Sequence, residues 1–306
     1  MRIIVTGAQG QVGWELTRRA PTFGHEVLAW DMAELDITDA AAVNRALAAS
    51  GADAVINAAA YTAVDRAEQE PTLAFAVNRD GSAHLAAACA RSGIPLLHIS
   101  TDYVFDGTKT GSYSDDDPAA PLGVYGQSKW EGDQAVCRLL PRHLILRVSW
   151  VFGVRGHNFV KTILRLARER EELRVVADQH GCPTYAGDIA DTLLELAGRT
   201  AEIDAHAAWG VYHYCGEPAT TWHGFAGAIV EMARADEPLR VRSETAITTA
   251  DYPTPAIRPA NSVLDCTKLA ARLGIRPRPW RAGLEVVLAT DRRPPATSHQ
   301  PPATSH

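Results

Sequence analysis

Three glycines near the amino end constrain the fold of this chain most strongly. Gly7, Gly10 and Gly13 follow an apolar run over residues 3–6 and open a stretch of helical spacing over 11–20. Glycine permits a tight turn and a close approach of the backbone to a pyrophosphate, while free N–H groups at the start of the helix bind its charge. The segment therefore predicts a dinucleotide-binding strand–turn–helix unit.

The rest of the first half alternates short β-branched runs with longer stretches of helical spacing. Strands are predicted over 26–30, 54–57, 95–100 and 143–148, and helices over 40–50, 71–91 and 125–139. Such alternation is typical of a parallel sheet that is covered by helices on both faces. We therefore expect an α/β fold, a Rossmann-type doubly wound parallel sheet.

Beyond residue 150 the pattern loosens, with helical spacing over 159–170, 188–198, 222–233 and 267–273. We expect residues 1–150 to form the dinucleotide-binding core, with later segments free to return to it. Residues 151–290 are expected to form mainly a smaller C-terminal substrate-binding lobe. Residues 291–306 contain the string Pro-Pro-Ala-Thr-Ser-His twice and are predicted to be disordered, because they lack large apolar side chains.

Composition excludes several classes of protein. Hydrophobic residues make up 46% and charged residues 22% of the chain, which is the ordinary globular range. No apolar run approaches the ~18 residues that span a bilayer, and the amino terminus lacks a signal-peptide pattern, so we expect a cytoplasmic protein without a membrane partner. A formal net charge of -6 disfavours nucleic acid as a partner. Five scattered cysteines indicate core thiols.

Residues after the second and third predicted strands extend the expected cofactor site. Asp31 ends the second strand, near the offset expected of an acid that binds the adenosine ribose. A carboxylate there accepts hydrogen bonds from both ribose hydroxyls and repels a 2′-phosphate, which favours NADH over NADPH. Asp36 and Ile37 are candidates to cover the adenine ring. Residues 57–62 supply small side chains where the backbone passes a flat cofactor.

Tyr125 and Lys129 indicate the chemistry. They are four residues apart in a predicted helix, so their side chains point to the same side. A free phenol has a pKa of ~10, and a nearby ammonium lowers it. Thr101 comes at the end of the fourth strand, where open α/β sheets place their sites. We expect Tyr125 to protonate a carbonyl oxygen that Thr101 also contacts, while a nicotinamide delivers hydride.

The glycine spacing G-x-x-G-x-x-G is typical of the short-chain dehydrogenases/reductases. Six longer strings resemble one extended branch of them, the dTDP-4-dehydrorhamnose reductases. These strings are GQVGWEL (10–16), NAAAYTAVD (57–65), STDYVF (100–105), RVSWV (147–151), DQHGCPT (178–184) and YPTPAIRP (252–259), within a match from residue 1 to about 290. The resemblance implies NADPH- or NADH-dependent reduction of dTDP-4-dehydro-β-L-rhamnose at C4, the last step of dTDP-L-rhamnose synthesis.

The resemblance assigns roles to the residues that match its motifs. Thr101, Tyr125 and Lys129 would form the catalytic set, with Tyr125 as the proton donor. Thr101, Asp102 and Trp150 would contact the sugar nucleotide, and Arg258 is a candidate for its diphosphate. Together with Gly7, Asp36 and Ile37, the expected cofactor contacts are Gly10, Gln11, Val12, Asp31, Ala60, Tyr61, Thr62, Tyr125 and Lys129.

The resemblance also implies a magnesium ion, shared across a dimer interface by acidic residues. Glu15 matches one of those positions, whereas Gly187 occupies the other, beside Asp188. Because of that departure, a monomer and a homodimer both stay open, with or without Mg²⁺. The family accepts both NADH and NADPH, so Asp31 does not decide the cofactor.

Two other functions stay open at this point. Nucleotide-sugar epimerases and dehydratases share the glycine turn and the Tyr-x-x-x-Lys pair. A dehydratase has an Asp-Glu pair beside its threonine, whereas Asp102-Tyr103 follows Thr101 here. The regulatory subunit of methionine adenosyltransferase also resembles this family but acts as a binding partner. The intact Thr101, Tyr125 and Lys129 favour a reductase over both.

Overall fold

The computed structural model describes residues 1–291. The strands are β1 (Arg2–Thr6), β2 (Glu26–Trp30), β3 (Ala54–Asn57), β4 (Leu96–Thr101), β5 (His143–Val148), β6 (Val151–Phe152), β7 (Glu172–Val176), β8 (His180–Gly181), β9 (Thr184–Tyr185), β10 (Gly210–His213), β11 (Thr220–Thr221) and β12 (Ser243–Ile247). The helices are α1 (Gln11–Arg19), α2 (Ala40–Ser50), α3 (Val64–Ala67), α4 (Pro71–Phe75), α5 (Ser82–Ser92), α6 (Val124–Leu139), α7 (Phe159–Glu169), α8 (Ala186–Gly198), α9 (Thr200–Ala205), α10 (Trp222–Arg234), α11 (Thr267–Leu273) and α12 (Trp280–Asp291).

A six-stranded parallel sheet organises the molecule, in the order β10-β5-β4-β3-β1-β2. Its central strands are short apolar runs that are buried on both faces, as in β3 and β5. The chain moves outward from β1 to β2 and then returns to β3 on the other side of β1. Ligands bind at such a reversal, beyond the carboxyl ends of the strands. The predicted Rossmann-type α/β fold is therefore confirmed.

Helices cover both faces of this sheet. One apolar core lies between the sheet and helices α1 and α8, and a second lies between the opposite face and helices α2, α5 and α6. Helix α8 and strand β10 come after residue 150, yet they belong to these layers. The chain thus leaves the sheet after β5 and returns to it, and the division into domains at residue 150 stays a prediction.

The C-terminal lobe has its own apolar core, to which helices α7, α10 and α12 contribute most of the buried side chains. Strands β7 and β12 pair in parallel at its edge. Helix α12 ends at Asp291, so the first residue of the predicted disordered tail is helical, and the rest of that tail lies outside the described residues. Within residues 1–291, no helix is long and apolar enough to cross a membrane.

The helix predicted over 71–91 is confirmed in extent, since residues 71–92 are helical throughout, but its middle is not an α-helix. Helices α4 and α5 are separated there by a π-helical turn, Ala76–Gly81. Asn78 lies in this turn, and its side chain bonds to the backbone of Tyr61 and to the hydroxyl of Ser128. These partners are distant in sequence, so helical periodicity alone does not reveal the turn. Single π-helical turns occur frequently at functional sites.

Helix α6 packs closely against this π-helical turn, and a glycine permits the contact. A Cβ atom added at Gly132 would lie 2.2 Å from the carbonyl oxygen of Asn78. We predict that Gly132→Ala lowers the free energy of unfolding by about 1–3 kcal/mol, measured by urea denaturation. Gly227→Ala in α10 is the control, because its nearest neighbour is the end of the Glu244 side chain at 3.2 Å. A Gly132→Ala variant with the same free energy of unfolding as wild type would show that this contact is not tight.

Candidate active site

A cleft of about 520 Å³ opens at the carboxyl edge of the sheet, between the sheet and the C-terminal lobe. The turn after β1, the loop after β3, the end of β4, helix α6 and the segment after β5 all contribute to it. The lining residues are Gln9, Gly10, Gln11, Val12, Ala58, Ala60, Thr62, Val64, Ile99, Ser100, Thr101, Asp102, Tyr103, Tyr125, Lys129, Val148, Trp150, Val151, Gly156, His157 and Trp222.

The glycine turn forms one end of this cleft. Gly7 has a φ of +66°, and a Cβ atom there would lie 2.6 Å from the backbone of Ala59. A Cβ atom at Gly13 would lie 2.1 Å from the carbonyl oxygen of Gly7, so α1 packs directly on the turn. Helix α1 has no side-chain cap at Gly10 and no acidic residue in its first turn. Its first N–H groups are therefore suited to bind an anionic phosphate.

The predicted ribose-binding acid lies beside this turn. One carboxylate oxygen of Asp31 accepts a hydrogen bond from the backbone N–H of Gln9 at 2.8 Å. The other accepts one from the N–H of Met32 at 2.8 Å. Asp31 thus ties the end of β2 to the glycine turn, and both of its oxygens keep lone pairs for further donors.

Five predicted cofactor contacts are not among the residues that line the cleft: Gly7 and Asp31, which belong to or adjoin the glycine turn, and Asp36, Ile37 and Tyr61. Ile37 is 5% exposed and belongs to the core under the sheet, against Gly81, so its side chain does not face a ligand. Asp36 accepts hydrogen bonds from Thr38 in an exposed turn. The hydroxyl of Tyr61 donates to Glu70, so its ring points away, while its neighbours Ala60 and Thr62 line the cleft.

Thr101, Tyr125 and Lys129 come together at the other end of the cleft. Thr101 ends β4, and its hydroxyl donates to the carboxylate of Asp102 at 3.0 Å while accepting from the N–H of Tyr103. The ring of Tyr125 packs edge-on against that of Tyr103, with 5.7 Å between centroids. Lys129 is 2% exposed, and its ammonium donates to the carbonyl oxygen of Ile99 at 2.7 Å.

At this end of the cleft, the pKa of Tyr125 differs from what the sequence led us to expect. Burial raises the pKa of Tyr125 to about 12, although a hydrogen bond with Thr101 acts in the opposite sense. Burial lowers the pKa of Lys129 to about 8. The sequence led us to expect that Lys129 lowers the pKa of the phenol, whereas burial and the charges of Asp102 and Asp133 raise it. Near neutral pH the phenol is protonated and the amine is mostly charged, which suits Tyr125 to donate a proton.

Asp102 is buried beside Thr101 and lines the same cleft. Burial raises the pKa of its carboxyl group to about 7. Among the described residues, no group meets hydrogen-bond geometry with its Oδ2 atom; the hydroxyl of Ser262 is close enough to lower the pKa of the carboxyl group but donates to the carbonyl oxygen of His180. A polar atom that is buried without a partner is costly unless a ligand supplies one. The geometry therefore suits Asp102 to bind a hydroxyl group of a substrate.

Trp150 lines the cleft in a strained backbone conformation, with a φ of +46°. Its ring stacks on Trp222 at 3.6 Å between centroids, and Gly181 packs against its edge. Trp222 begins helix α10 and brings the C-terminal lobe to the cleft. The sequence did not single out Trp222, Gly156 or His157, because only the packing of the lobe brings them to this place.

Arg258 does not line the cleft. Its guanidinium forms two hydrogen bonds with the carboxylate of Asp65, at 2.8 and 3.1 Å, and holds the pKa of that carboxyl below its usual value. A third bond reaches the carbonyl oxygen of Ala256. The pair joins the segment around Ala256 to helix α3, so the charge of Arg258 is already compensated.

The residues around Glu15 do not fit a magnesium ion. Glu15 is fully buried, and its carboxylate accepts hydrogen bonds from Arg18, Arg19 and Tyr185. Two guanidinium groups repel a cation from this carboxylate. Asp188, beside Gly187, pairs with Arg278 at 3.0 Å. Within residues 1–291 no cluster of three or more acidic, His or Cys side chains could hold a metal ion.

Known proteins resemble this chain along nearly its whole length. The family model of the RmlD substrate binding domain matches residues 1–293. The dTDP-4-dehydrorhamnose reductase of Aggregatibacter actinomycetemcomitans is 48% identical over 290 residues, 94% of this chain and 98% of that protein. A solved dTDP-4-dehydrorhamnose reductase of Clostridium acetobutylicum has a TM-score of 0.89 at 35% identity, over 96% of this chain and 100% of that one. That of Bacillus anthracis, solved in complex with NADP, has a TM-score of 0.87 at 34% identity, over 94% and 98%.

The raised pKa of Asp102 has a consequence for stability. Between pH 3.8, the ordinary pKa of this carboxyl group, and about pH 7, the folded chain keeps a proton that the unfolded chain releases, so the free energy of unfolding falls as pH rises. We predict that Asp102→Asn raises the free energy of unfolding relative to wild type. The gain should be larger near pH 8 than near pH 5 by roughly 2–3 kcal/mol in urea denaturation.

Asp116→Asn is the matched control, because Asp116 is exposed in a loop. Its effect on the free energy of unfolding should be small at both pH values. A gain for Asp102→Asn that does not depend on pH would contradict the assignment of a raised pKa to Asp102.

Proposed function

We propose, since the chain belongs to the RmlD substrate binding domain family, that it reduces the C4 keto group of dTDP-4-dehydro-β-L-rhamnose to give dTDP-β-L-rhamnose. This reaction is the last step of dTDP-L-rhamnose biosynthesis. The observation that carries the proposal is one cleft with a phosphate-binding glycine turn at one end and Thr101, Tyr125 and Lys129 at the other.

Tyr125 is the proposed proton donor. Its raised pKa keeps the phenol protonated, and its place in the cleft brings it near Thr101. The hydroxyl of Thr101 can rotate from Asp102 to donate a hydrogen bond to the keto oxygen that Tyr125 protonates. Lys129 holds a buried positive charge below Tyr125, which stabilises the phenolate left after proton transfer. A nicotinamide cofactor supplies the hydride to C4.

Residues at the glycine turn are proposed to hold the cofactor. Gly10, Gln11 and Val12 would contact the pyrophosphate, and Ala60 and Thr62 leave room for the flat rings beyond β3. Both NADPH and NADH are proposed cofactors, since the Bacillus anthracis relative was solved with NADP whereas Asp31 here disfavours a 2′-phosphate. Ile37 and Asp36 have no place in this proposal, because Ile37 is buried in the core and Asp36 bonds to Thr38 in an exposed turn.

The sugar is proposed to bind between Thr101, Asp102 and Trp150. Asp102 offers its free oxygen to a sugar hydroxyl, and the ring of Trp150 offers an apolar surface to the methyl group. Arg258 would reach a diphosphate only by leaving Asp65, so its proposed task is to hold the segment around Ala256 against α3.

Substitution of the proton donor tests the reaction. In Tyr125→Phe, NADPH oxidation by enzymatically generated dTDP-4-dehydro-L-rhamnose should slow by roughly 10²–10⁴, while the Kd for NADPH stays nearly unchanged. Turnover is followed by the absorbance of the reduced cofactor, and dTDP-L-rhamnose is identified by chromatography. Tyr212→Phe is the control, because Tyr212 bonds to Ala208 in the core. Near-wild-type turnover of Tyr125→Phe would refute the assignment.

Substitution of Asp31 tests whether this carboxylate sets the preference between NADH and NADPH. In Asp31→Ala, kcat/KM with NADPH should rise relative to kcat/KM with NADH by about tenfold, because the negative charge that repels a 2′-phosphate is removed. Asp36→Ala is the matched control, since its carboxylate caps an exposed turn. An unchanged ratio in Asp31→Ala would mean that the cofactor ribose does not bind beside Asp31.

A further inference from the structure

A third residue extends the catalytic pair along helix α6. Tyr125, Lys129 and Asp133 occupy positions i, i+4 and i+8, so they follow one another on a single face of the helix. Tyr125 lies at the cleft, Lys129 is 2% exposed below it, and Asp133 is completely buried one turn further. A carboxylate at such depth requires compensation.

The surroundings of Asp133 supply only part of that compensation. Its Oδ2 atom accepts hydrogen bonds from the hydroxyl of Ser100 at 2.9 Å and from Nε of Arg147 at 3.3 Å. Among the described residues, nothing donates to its Oδ1 atom within hydrogen-bond distance. That atom lies 3.7 Å from Nε2 of His98. The same imidazole nitrogen is 3.4 Å from the ammonium of Lys129.

The hydrogen bonds of Asn57 decide which nitrogen of His98 carries the proton. The amide oxygen of Asn57 accepts from Thr6 and from the N–H of Ala59, so its NH₂ group donates to Nδ1 of His98. Nδ1 is then the acceptor, and Nε2 carries the hydrogen. Oδ1 of Asp133, 3.7 Å from Nε2, is an acceptor on that side of the ring, whereas the ammonium of Lys129, 3.4 Å away, has only donors. The imidazole of His98 therefore lies between the two charges without bonding to Lys129.

We propose that Asp133 is a positioning residue whose negative charge keeps the buried amine of Lys129 charged, acting across the neutral imidazole of His98. Its carboxylate counters the two cations beside it, those of Lys129 and Arg147. The net charge that remains is about one positive unit, which is what stabilises a phenolate at Tyr125. The proposal rests on the proposed function only where it concerns turnover, because the charge of Lys129 can be measured without substrate.

Several titratable groups face this cluster, and among the described residues Asp133 is the acid whose charge acts on Lys129. Burial lowers the pKa of His98, so this imidazole is neutral. Burial lowers the pKa of Lys129, and Asp133 acts in the opposite sense. The facing groups are Tyr125 and Cys137 on α6, His98 on β4, Asp102 after it, and His143 and Arg147 on β5.

Removal of Asp133 and removal of its partner Arg147 should shift the titration midpoint of Lys129 in opposite directions. In Asp133→Asn the cations of Lys129 and Arg147 lose their anion, and the titration midpoint of Lys129 should fall by about one pH unit or more. In Arg147→Gln the carboxylate of Asp133 loses its cation, and the midpoint should rise. A role of Asp133 in packing alone predicts no such pair of opposite shifts.

The charge of Lys129 can be read directly by NMR. The chain contains four lysines, Lys109, Lys129, Lys161 and Lys268, so protein labelled with carbon-13 at lysine Cε gives a simple spectrum. Lys129→Met assigns the signal, and the full chain is titrated without substrate. Glu131→Gln is the matched control, because it removes one negative charge from a different, partly exposed face of α6. The titration midpoint of Lys129 in Glu131→Gln should equal the midpoint in wild type.

Kinetics extend the measurement to the reaction. The basic limb of the pH profile of kcat/KM should move to lower pH in Asp133→Asn and to higher pH in Arg147→Gln. Lys129 midpoints that stay unchanged, or that move in the same direction in both variants, would overturn the proposal. If one variant fails to fold, the direction in which the Lys129 midpoint moves in the other variant tests the proposal. If the Lys129 midpoints shift in opposite directions but the wild-type chain has no reductase activity, the proposed function is refuted and the role of Asp133 stands.

Discussion

The buried ammonium of Lys129 is the feature on which the arrangement of the site depends. A charge removed from water needs partners in fixed positions. Here the carbonyl oxygen of Ile99 lies 2.7 Å from Nζ, which requires α6 to lie close against β4. Gly126 allows this approach, because a Cβ atom there would lie 2.2 Å from the backbone of Tyr103, just after β4, while Gly132 allows α6 to pack on the π-helical turn at Asn78. The position of Tyr125 follows from that packing.

The order of the strands brings the end of the cleft at Tyr125 and the end at the glycine turn to the same edge of the sheet. Strands β1, β3 and β4 are neighbours, so the glycine turn after β1, the small residues after β3 and Thr101 at the end of β4 share one edge. The C-terminal lobe closes the opposite side of the cleft through Trp222 and its stacked partner Trp150. In the proposed reaction, a cofactor along the edge and a sugar under the lobe would meet beside Tyr125, where hydride and proton transfer must coincide.

Local sequence patterns predicted the sheet well, because each buried strand is a short apolar run between turn residues. The bounds predicted for the strands at 26–30, 54–57 and 143–148 agree with the structure. The errors concern tertiary partners. Asp65 and Arg258 pair across 193 positions, so the sequence left the charge of Arg258 apparently free for a diphosphate. The π-helical turn and the place of Trp222 likewise depend on contacts that no local pattern encodes.

The proposed reaction transfers hydride from the cofactor to C4 of the sugar, and isotope tracing follows this transfer. The wild-type chain is supplied with dTDP-4-dehydro-L-rhamnose and with NADPH that carries deuterium at the transferred position. The account predicts dTDP-L-rhamnose with one deuterium at C4, in an amount equal to the cofactor oxidised. A sugar product without deuterium, formed with no net oxidation of the cofactor, would contradict it and would indicate an epimerase that regenerates its cofactor in place.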